Sequence, residues 1–338
     1  MNFTPPSRVA ILYSDAQRQY FPTEQLYHSE AEVKDRAALI ATYFNKMKID
    51  TACFPGNADL VENLKKYKPD FVLNLVDTVY GQEYLTASIP ATLELLNIPY
   101  TGTGIMGMTI NTNKYFTKNL LEQWGITTPK YQLIKDSTDE LDITLDFPLI
   151  TKLNDFHGSI EMGQSAVCQD EKELDKRVHY LMDTYKTSVL VEEYIAGREI
   201  AVHITEGANM KVYAGEKVFK ADNPDKFQIC SYDAVWGTED VYTYTKYDLP
   251  QTVKEDLKTA FDILKLEDYA KFDIRVDAAG RHYIIDVNAN PALGPKPDCS
   301  IGTVLSLYDI SFEDILTRIM HNTMVIDPQD DLKNGTII

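Results

Sequence analysis

The segment from Ala270 to Asn288 constrains the chain more than any other. It reads as two strands, Ala270 to Asp277 and His282 to Asn288, joined by Ala278-Ala279-Gly280-Arg281. Side chains alternate across a strand with period two, so Lys271, Asp273, Arg275 and Asp277 share one face of the first strand. Asp286 and Asn288 share one face of the second. Around them stand Phe272, Ile274, Val276, Ile284, Ile285 and Val287. Carboxylates beside a buried sheet are unfavourable unless cations or ligands answer them. Asp273, Asp286 and Asn288 offer hard oxygen ligands, which suit Mg²⁺ bridging phosphates. The plain alternative is a hairpin whose acids face solvent.

The rest of the chain supplies a setting. Up to about residue 100, strand and helix patterns alternate. Val9 to Tyr13 and Phe71 to Val76 are apolar runs, read as buried strands of a parallel sheet, with another strand ending near Phe54. Ser29 and Glu32 form a capping-box pattern ahead of Val33, Ala37, Ile40, Phe44 and Met47, which fall on one helical face. Gly102, Gly104 and Gly107 spell a literal dinucleotide fingerprint. They come after several βα units and lack the following strand and acid, so a turn between subdomains is expected instead. Later strands are expected at Pro148 to Lys152, near Ala166, at Val189 to Ile195, and antiparallel from Glu199 to Val218.

Two further features carry chemistry. Lys152 leaves a buried strand and is followed by Gly158-Ser159, a loop whose backbone can approach phosphate oxygens. No Walker A pattern occurs. The apolar run Val189-Leu190-Val191 enters Glu192-Glu193-Tyr194-Ile195, then Gly197-Arg198-Glu199, which can set backbone groups against a base and a carboxylate against ribose hydroxyls. Taken singly, each has an ordinary reading as a turn or a strand end.

The formal charge of −18 argues against nucleic acid and anionic membranes as partners. No apolar run reaches the ~18–20 residues of a membrane span, and no signal peptide is expected at Met1 to Arg8. Cys53, Cys168, Cys230 and Cys299 are too scattered for a zinc motif, and a reducing cytoplasm is their simplest setting.

In this order and spacing the motifs resemble the ATP-grasp superfamily, most closely the D-alanine–D-alanine ligase group. The resemblance covers nearly the whole chain and is strongest from Ile98 to Leu316. It implies an α/β chain, α+β in its last third. An N-terminal parallel-sheet domain (1–105) would precede a small central domain (106–198), a C-terminal antiparallel-sheet domain (199–325) and a tail (326–338). Asn113-Lys114 matches the family's Asp-Lys pair, and Lys114 and Lys152 become nucleotide-contacting lysines. Gly158 and Ser159 fit the phosphate-covering loop. Glu192, Glu193, Tyr194 and Ile195 fit the adenine strand and hinge, with Ile285 also against the nucleotide, and Glu199 fits the ribose acid. Thr245-Lys246-Tyr247 resembles the family's Ala-Lys-Tyr, so Lys246 is a phosphate-binding candidate. Asp273, Asp286 and Asn288 fit the ligands of a pair of Mg²⁺ ions, replaceable by Mn²⁺. Asn290-Pro291-Ala292-Leu293 resembles the family's Ser-Pro-Gly-Met turn, and Ala292 N–H and Arg275 are expected to face the reacting carbonyl. Lys220 to Pro250 would form a closing lid.

The acceptor side departs from the family. Lys271 stands where an arginine is usual, and Lys lacks the planar fork. Ala292 replaces the turn glycine. Val76-Asp77 replaces the family's His-Gly, and the Ser-x-Glu after the first strand is missing. An aromatic loop, Asp15 to His28, takes its place. Glu24, Glu30 and Glu83 are candidates for a substrate ammonium group. The implied activity is ATP-dependent joining of a small carboxylate and an amine through an acyl-phosphate, with substrates other than two D-alanines. Homodimeric, cytoplasmic organisation follows from the resemblance. Carboxylation, kinase chemistry or nucleotide binding without catalysis stay open.

Overall fold

The computed structural model describes residues 5–207, 209–220, 225–237, 241–295 and 299–325. The expected tail (326–338) and parts of the expected lid (221–224 and 238–240) lie outside the described residues.

The N-terminal part runs β1 (Arg8–Tyr13), α1 (Glu24–Ala31), α2 (Val33–Lys46), β2 (Asp50–Pro55), α3 (Leu60–Tyr67), β3 (Phe71–Leu75) and α4 (Ser88–Leu95). Its strands pair in parallel in the order β2-β1-β3. Val9, Ala10, Ile11 and Leu12 are all buried because helices cover both faces. On one face α2 packs Val33, Ala37, Ile40 and Phe44 against Val9, Ile11, Phe71 and Leu73. Burying a side chain such as Ile40 contributes about 1.5–3 kcal/mol. On the other, Leu60, Leu64, Ile89 and Leu93 pack against Ala10, Leu12 and Val72.

The expected capping box is not formed. Ser29 lies inside α1 and its hydroxyl donates to the Leu26 carbonyl, while Thr23 caps that helix by accepting from the Leu26 N–H. The helix begins earlier than the apolar periodicity suggested, because the Asp15 to His28 loop folds inward. Phe21 and Leu26 join the core of the central sheet, with Tyr20 and Tyr27 packed on it. The aromatic loop is therefore a packing element.

The central part adds α5 (Ile105–Asn111), α6 (Lys114–Gln123), β4 (Tyr131–Ile134), β5 (Leu149–Leu153), β6 (Val167–Cys168), α7 (Glu171–Tyr185) and β7 (Val189–Glu193). The strands are antiparallel in the order β4-β7-β5-β6. Asp170 caps α7 by accepting from the Glu173 N–H, and Leu174, Val178 and Leu181 bury its inner face. The glycine triplet joins the parts as a turn and a helix. Gly102 adopts φ +86, and Gly107 lies within α5 so close to the Lys265 carbonyl oxygen that an added Cβ would stand 2.1 Å from it.

The last part contains β8 (Arg198–Thr205), β9 (Lys211–Phe219), α8 (Tyr232–Trp236), β10 (Tyr242–Lys246), α9 (Gln251–Ile263), β11 (Tyr269–Val276), β12 (His282–Asn288), α10 (Ser300–Ser306) and α11 (Phe312–Val325). Its sheet is antiparallel in the order β10-β9-β8-β11-β12. One face packs Ile200, Val202, Phe272 and Ile274 against Leu257, Ala260 and Phe261 of α9. The alternate residues Glu199, Asp273 and Arg275 face a cleft. Between Asp273 and Ile274 the β11–β12 register shifts. The shift leaves Ile285 as an extra residue and sets Asp273 opposite Asp286.

Candidate active site

The three sheets meet around a cleft of about 550 Å³. One end is built by the central and C-terminal sheets and carries lysines. Lys152, on β5, donates to Glu192 Oε2 (3.0 Å) and to the Ile285 carbonyl freed by the bulge (2.8 Å). Glu192 sits on the adjacent β7, and Lys118 of α6 approaches its other oxygen at 3.3 Å. Burial lowers the Lys118 ammonium to about 8 against the pull of Glu192. Lys114, at the first turn of α6, donates to the Phe156 carbonyl (2.6 Å) and stands 3.8 Å from Asp286. Both Lys114 and Lys152 line the cleft, where each ammonium supplies a point charge.

Glu199 forms a second knot. Its oxygens meet Lys217 Nζ (2.6 Å) and Arg275 (3.1 Å). Burial alone would raise its carboxyl, but Lys217 and Arg275 hold it at about 2. The Arg275 donors are committed to Glu199, Ile195 O, Gly197 O and Gln228 O, and the guanidinium lies over the Tyr194 ring. In this arrangement it clamps the stretch between β7 and β8 and does not present free donors to a reacting carbonyl.

Asp273, Asp286 and Asn288 come together across β11 and β12. Asp273 pairs with Lys271 and lies 3.6 Å from Lys217, and the Asn288 amide reaches it at 3.5 Å. Its Oδ1 is buried with no hydrogen-bond donor among the described residues. Burial raises the Asp286 carboxyl, yet Lys114, His157 and Lys152 together bring it to about 2. Two carboxylates, one with an orphaned buried oxygen, and an amide oxygen fit a hard divalent cation.

The other end is built by the N-terminal part and is acidic. Glu30 accepts from Thr78 Oγ1 (2.9 Å), and Glu83 accepts from the His157 N–H (2.6 Å). Burial pushes Asp77 and Glu83 well above the ordinary carboxyl range and raises Glu30 as well. Arg36 is buried beside them and paired with Glu32. Above the cleft, Trp236 of α8 donates to the Gly158 carbonyl (3.0 Å). One cleft thus offers cations for phosphates and acids for an amine.

Of the residues singled out from sequence, Lys114, Lys152, Gly158, Ser159, Glu192, Glu193, Tyr194, Ile195, Glu199, Asp273, Arg275, Ile285, Asp286, Asn288 and Ala292 all line this cleft. Lys246 does not. It is exposed at the end of β10 with its ammonium 4.3 Å from the Tyr308 ring centre, and Lys217 of the neighbouring β9 occupies the cleft instead. Glu24 also stays outside, paired with Arg18. Sequence reasoning missed Lys118, Lys217, Asp77 as an acid of the site, Arg36 and His157. Only Lys118 carries a local signal, one helical turn after Lys114.

Residues 120–320 match the family model described as D-ala D-ala ligase C-terminus. The chain belongs to this family. D-alanine–D-alanine ligase B of Pseudomonas putida is 28% identical over 298 residues, covering 85% of this chain and 84% of that protein. The uncharacterized protein y4sG of Sinorhizobium fredii is 26% identical over 264 residues, covering 72% of this chain and 74% of that protein. The fold is that of the D-alanine–D-alanine ligase of Bacillus anthracis solved with ATP. The TM-score is 0.73 at 21% identity, over 96% of this chain and 99% of that one. This ligase-family protein is thus an ATP-grasp, ATP-dependent enzyme that forms a carbon–nitrogen bond. Among its described residues no helix is long and apolar enough to cross a membrane.

Proposed function

We propose that this ligase joins a small carboxylate to an amine through an acyl-phosphate, and that the pair is not two D-alanines. One observation carries the reading. A single cleft holds Lys114, Lys152, Asp273, Asp286 and Asn288 at one end and Glu30, Asp77 and Glu83 at the other. The acid end also carries Val76-Asp77 where the related ligases have His-Gly, so their histidine is absent.

A carboxylate is a poor electrophile until phosphorylated. Lys114 and Lys152 would offset triphosphate charge, and the Gly158-Ser159 loop would cover the phosphates. Glu192 to Ile195 would line the base, and Glu199 would take the ribose hydroxyls. Asp273, Asp286 and Asn288 would hold Mg²⁺, which neutralises phosphate charge when bound. Lys271 and the Ala292 N–H, both on the cleft wall, would donate to the oxyanion. Arg275 would act by fixing the hinge. Helix α8, seated on the Gly158 loop by Trp236, would exclude the water that hydrolyses an acyl-phosphate. The proposal includes a homodimer in the cytoplasm, as is typical of the family, and domain limits at residues 105, 198 and 325.

ADP and phosphate release with Mg²⁺-ATP, against amino acids and small carboxylates singly and in pairs, tests it. One pair should stimulate release and yield a joined product by mass. An Asp286→Ala, Asn288→Ala variant should lose about a hundredfold or more. Release without a joined product would point to kinase or carboxylation chemistry and overturn the ligation claim.

A further inference from the structure

Glu30 extends from α1, Asp77 follows β3, and Glu83 opens the short 3₁₀ turn Glu83–Ala87. All three line the cleft. Among the described residues none of them ion-pairs with lysine or arginine, whereas Glu192, Glu199, Asp273 and Asp286 all do. Arg36 acts on Glu30 and Asp77 but is bound to Glu32. Lys114 acts on Glu83 but its ammonium is turned to the Phe156 carbonyl and Asp286. Glu83 is only 7% exposed, and its Oε2 has no hydrogen-bond partner among the described residues. The nearest base, His157 at 3.4 Å, is held neutral, since burial and Lys114 lower it to about 3.

Glu30 and Glu83 are buried and Asp77 is half-buried beside them; buried carboxylates left without cations are unfavourable, and folded proteins retain them where something binds. An ordinary α-amino acid brings one ammonium and a carboxylate of its own, so it would leave acids unanswered. A single metal ion does not suit them either. Among the described residues no three acidic, histidine or cysteine side chains converge closely enough to hold one. An elongated organic cation with two separated nitrogens can reach acids on different elements and supply the donors that Glu83 Oε2 lacks.

We propose that one of the two ligated substrates carries a second basic group, as in a diamino acid or a diamine, and that Asp77 and Glu83 receive it. This rests on the ligase reading of the cleft. It gives a role to Asp77, which stands beside the position where the family's histidine is absent, since a carboxylate selects a cation.

The test uses the full chain with Mg²⁺ and a non-hydrolysable ATP analogue. Calorimetry measures binding of lysine and ornithine, both enantiomers, and of 1,4-diaminobutane, against norleucine and norvaline as uncharged counterparts. At least one basic compound should bind about tenfold or more tighter than its counterpart. Asp77→Asn should cut that ratio about fivefold or more, Asp77→Glu should restore part of it, and nucleotide affinity should stay unchanged in both as the control for folding. Equal binding of basic and uncharged compounds, or a ratio unmoved by Asp77→Asn, overturns the inference. ADP release with the same compounds reads the ligase claim separately. Ligation of two uncharged amino acids keeps that claim and overturns the dication. Tight binding of a basic compound without joined product in any pair supports the dication and overturns ligation.

Discussion

Glu192 answers two buried ammonium groups at once. Its side chain is 1% exposed. Glu192→Gln would leave Lys118 and Lys152 facing each other with one neutral amide between them. Removing one partner of a buried pair typically costs about 3–5 kcal/mol. Urea denaturation without nucleotide should show a loss of about 3 kcal/mol. Adding Lys118→Met should recover part of it, since Lys152 keeps the Ile285 carbonyl. An unchanged midpoint in Glu192→Gln would mean that water, not Glu192, solvates the lysines. Asp273 and Asp286 were legible from period-two alternation, Lys152 from the buried strand it leaves, and Glu199 from the resemblance. Lys217 was not legible, because its direction depends on how β9 pairs with β10, where Tyr244 stands opposite it. The tripeptide around Lys246 matched the family pattern, but local pattern does not say where a strand ends.

The elements were legible where one physical signal dominated. Apolar runs marked β1, β3, β5 and β7, and helical periodicity marked α2. The bulge between β11 and β12 carried no such signal, although it aligns the two metal-ligand candidates and frees a carbonyl for Lys152. The glycine triplet was read correctly as a junction, but the reason for its last glycine was not visible. Gly107 looks like part of a phosphate loop, yet it is a contact point where α5 crosses the end of α9. An added methyl group would meet the Lys265 carbonyl and Thr103 Cγ2 at 2.1 and 2.3 Å. Backbone on one side cannot yield cheaply, and overpacking of this kind costs about 1–3 kcal/mol. Gly107→Ala should therefore lower the thermal midpoint clearly, against the gain of helix propensity that alanine brings in an open helix. A midpoint equal to or above that of the parent would show that α5 slides freely on α9. ADP release per folded molecule should be little changed, because α5 meets the cleft only through its rim residues Met108 and Asn111.

At the scale of the molecule, the last described helices return to the first sheet. Leu305, Phe312, Ile315, Leu316 and Ile319 share one core with Val9, Ile11, Ile40 and Phe71, so the parallel sheet is closed by helices some three hundred residues later. No local pattern announces such a contact. Apolar faces say that a partner exists and not which one. Asp268 stands at this crossing. Its Oδ2 accepts from the Gly102 N–H (3.1 Å) and from Thr323 Oγ1 (3.3 Å), while its own N–H donates to Glu206 (2.7 Å). Its Oδ1 is buried with no hydrogen-bond donor among the described residues. Burial raises the carboxyl from its ordinary value to about 7, with Glu206 adding to the effect and the Gly102 N–H opposing it. A folded-state value above the unfolded one means that the folded chain binds the proton more tightly. Stability from this group is therefore greatest below about pH 4 and is lost as pH rises through about 7. Each tenfold gain in proton affinity on folding corresponds to about 1.4 kcal/mol, so the whole loss from below pH 4 to above pH 7 is about 4 kcal/mol. Asp268→Asn keeps the shape and cannot ionise. The stability of the parent relative to this variant should fall by about 2 kcal/mol or more between pH 5 and pH 8, read from urea midpoints at each pH. Parallel profiles for the two proteins would show that Asp268 is charged throughout and that the crossing is held by packing alone.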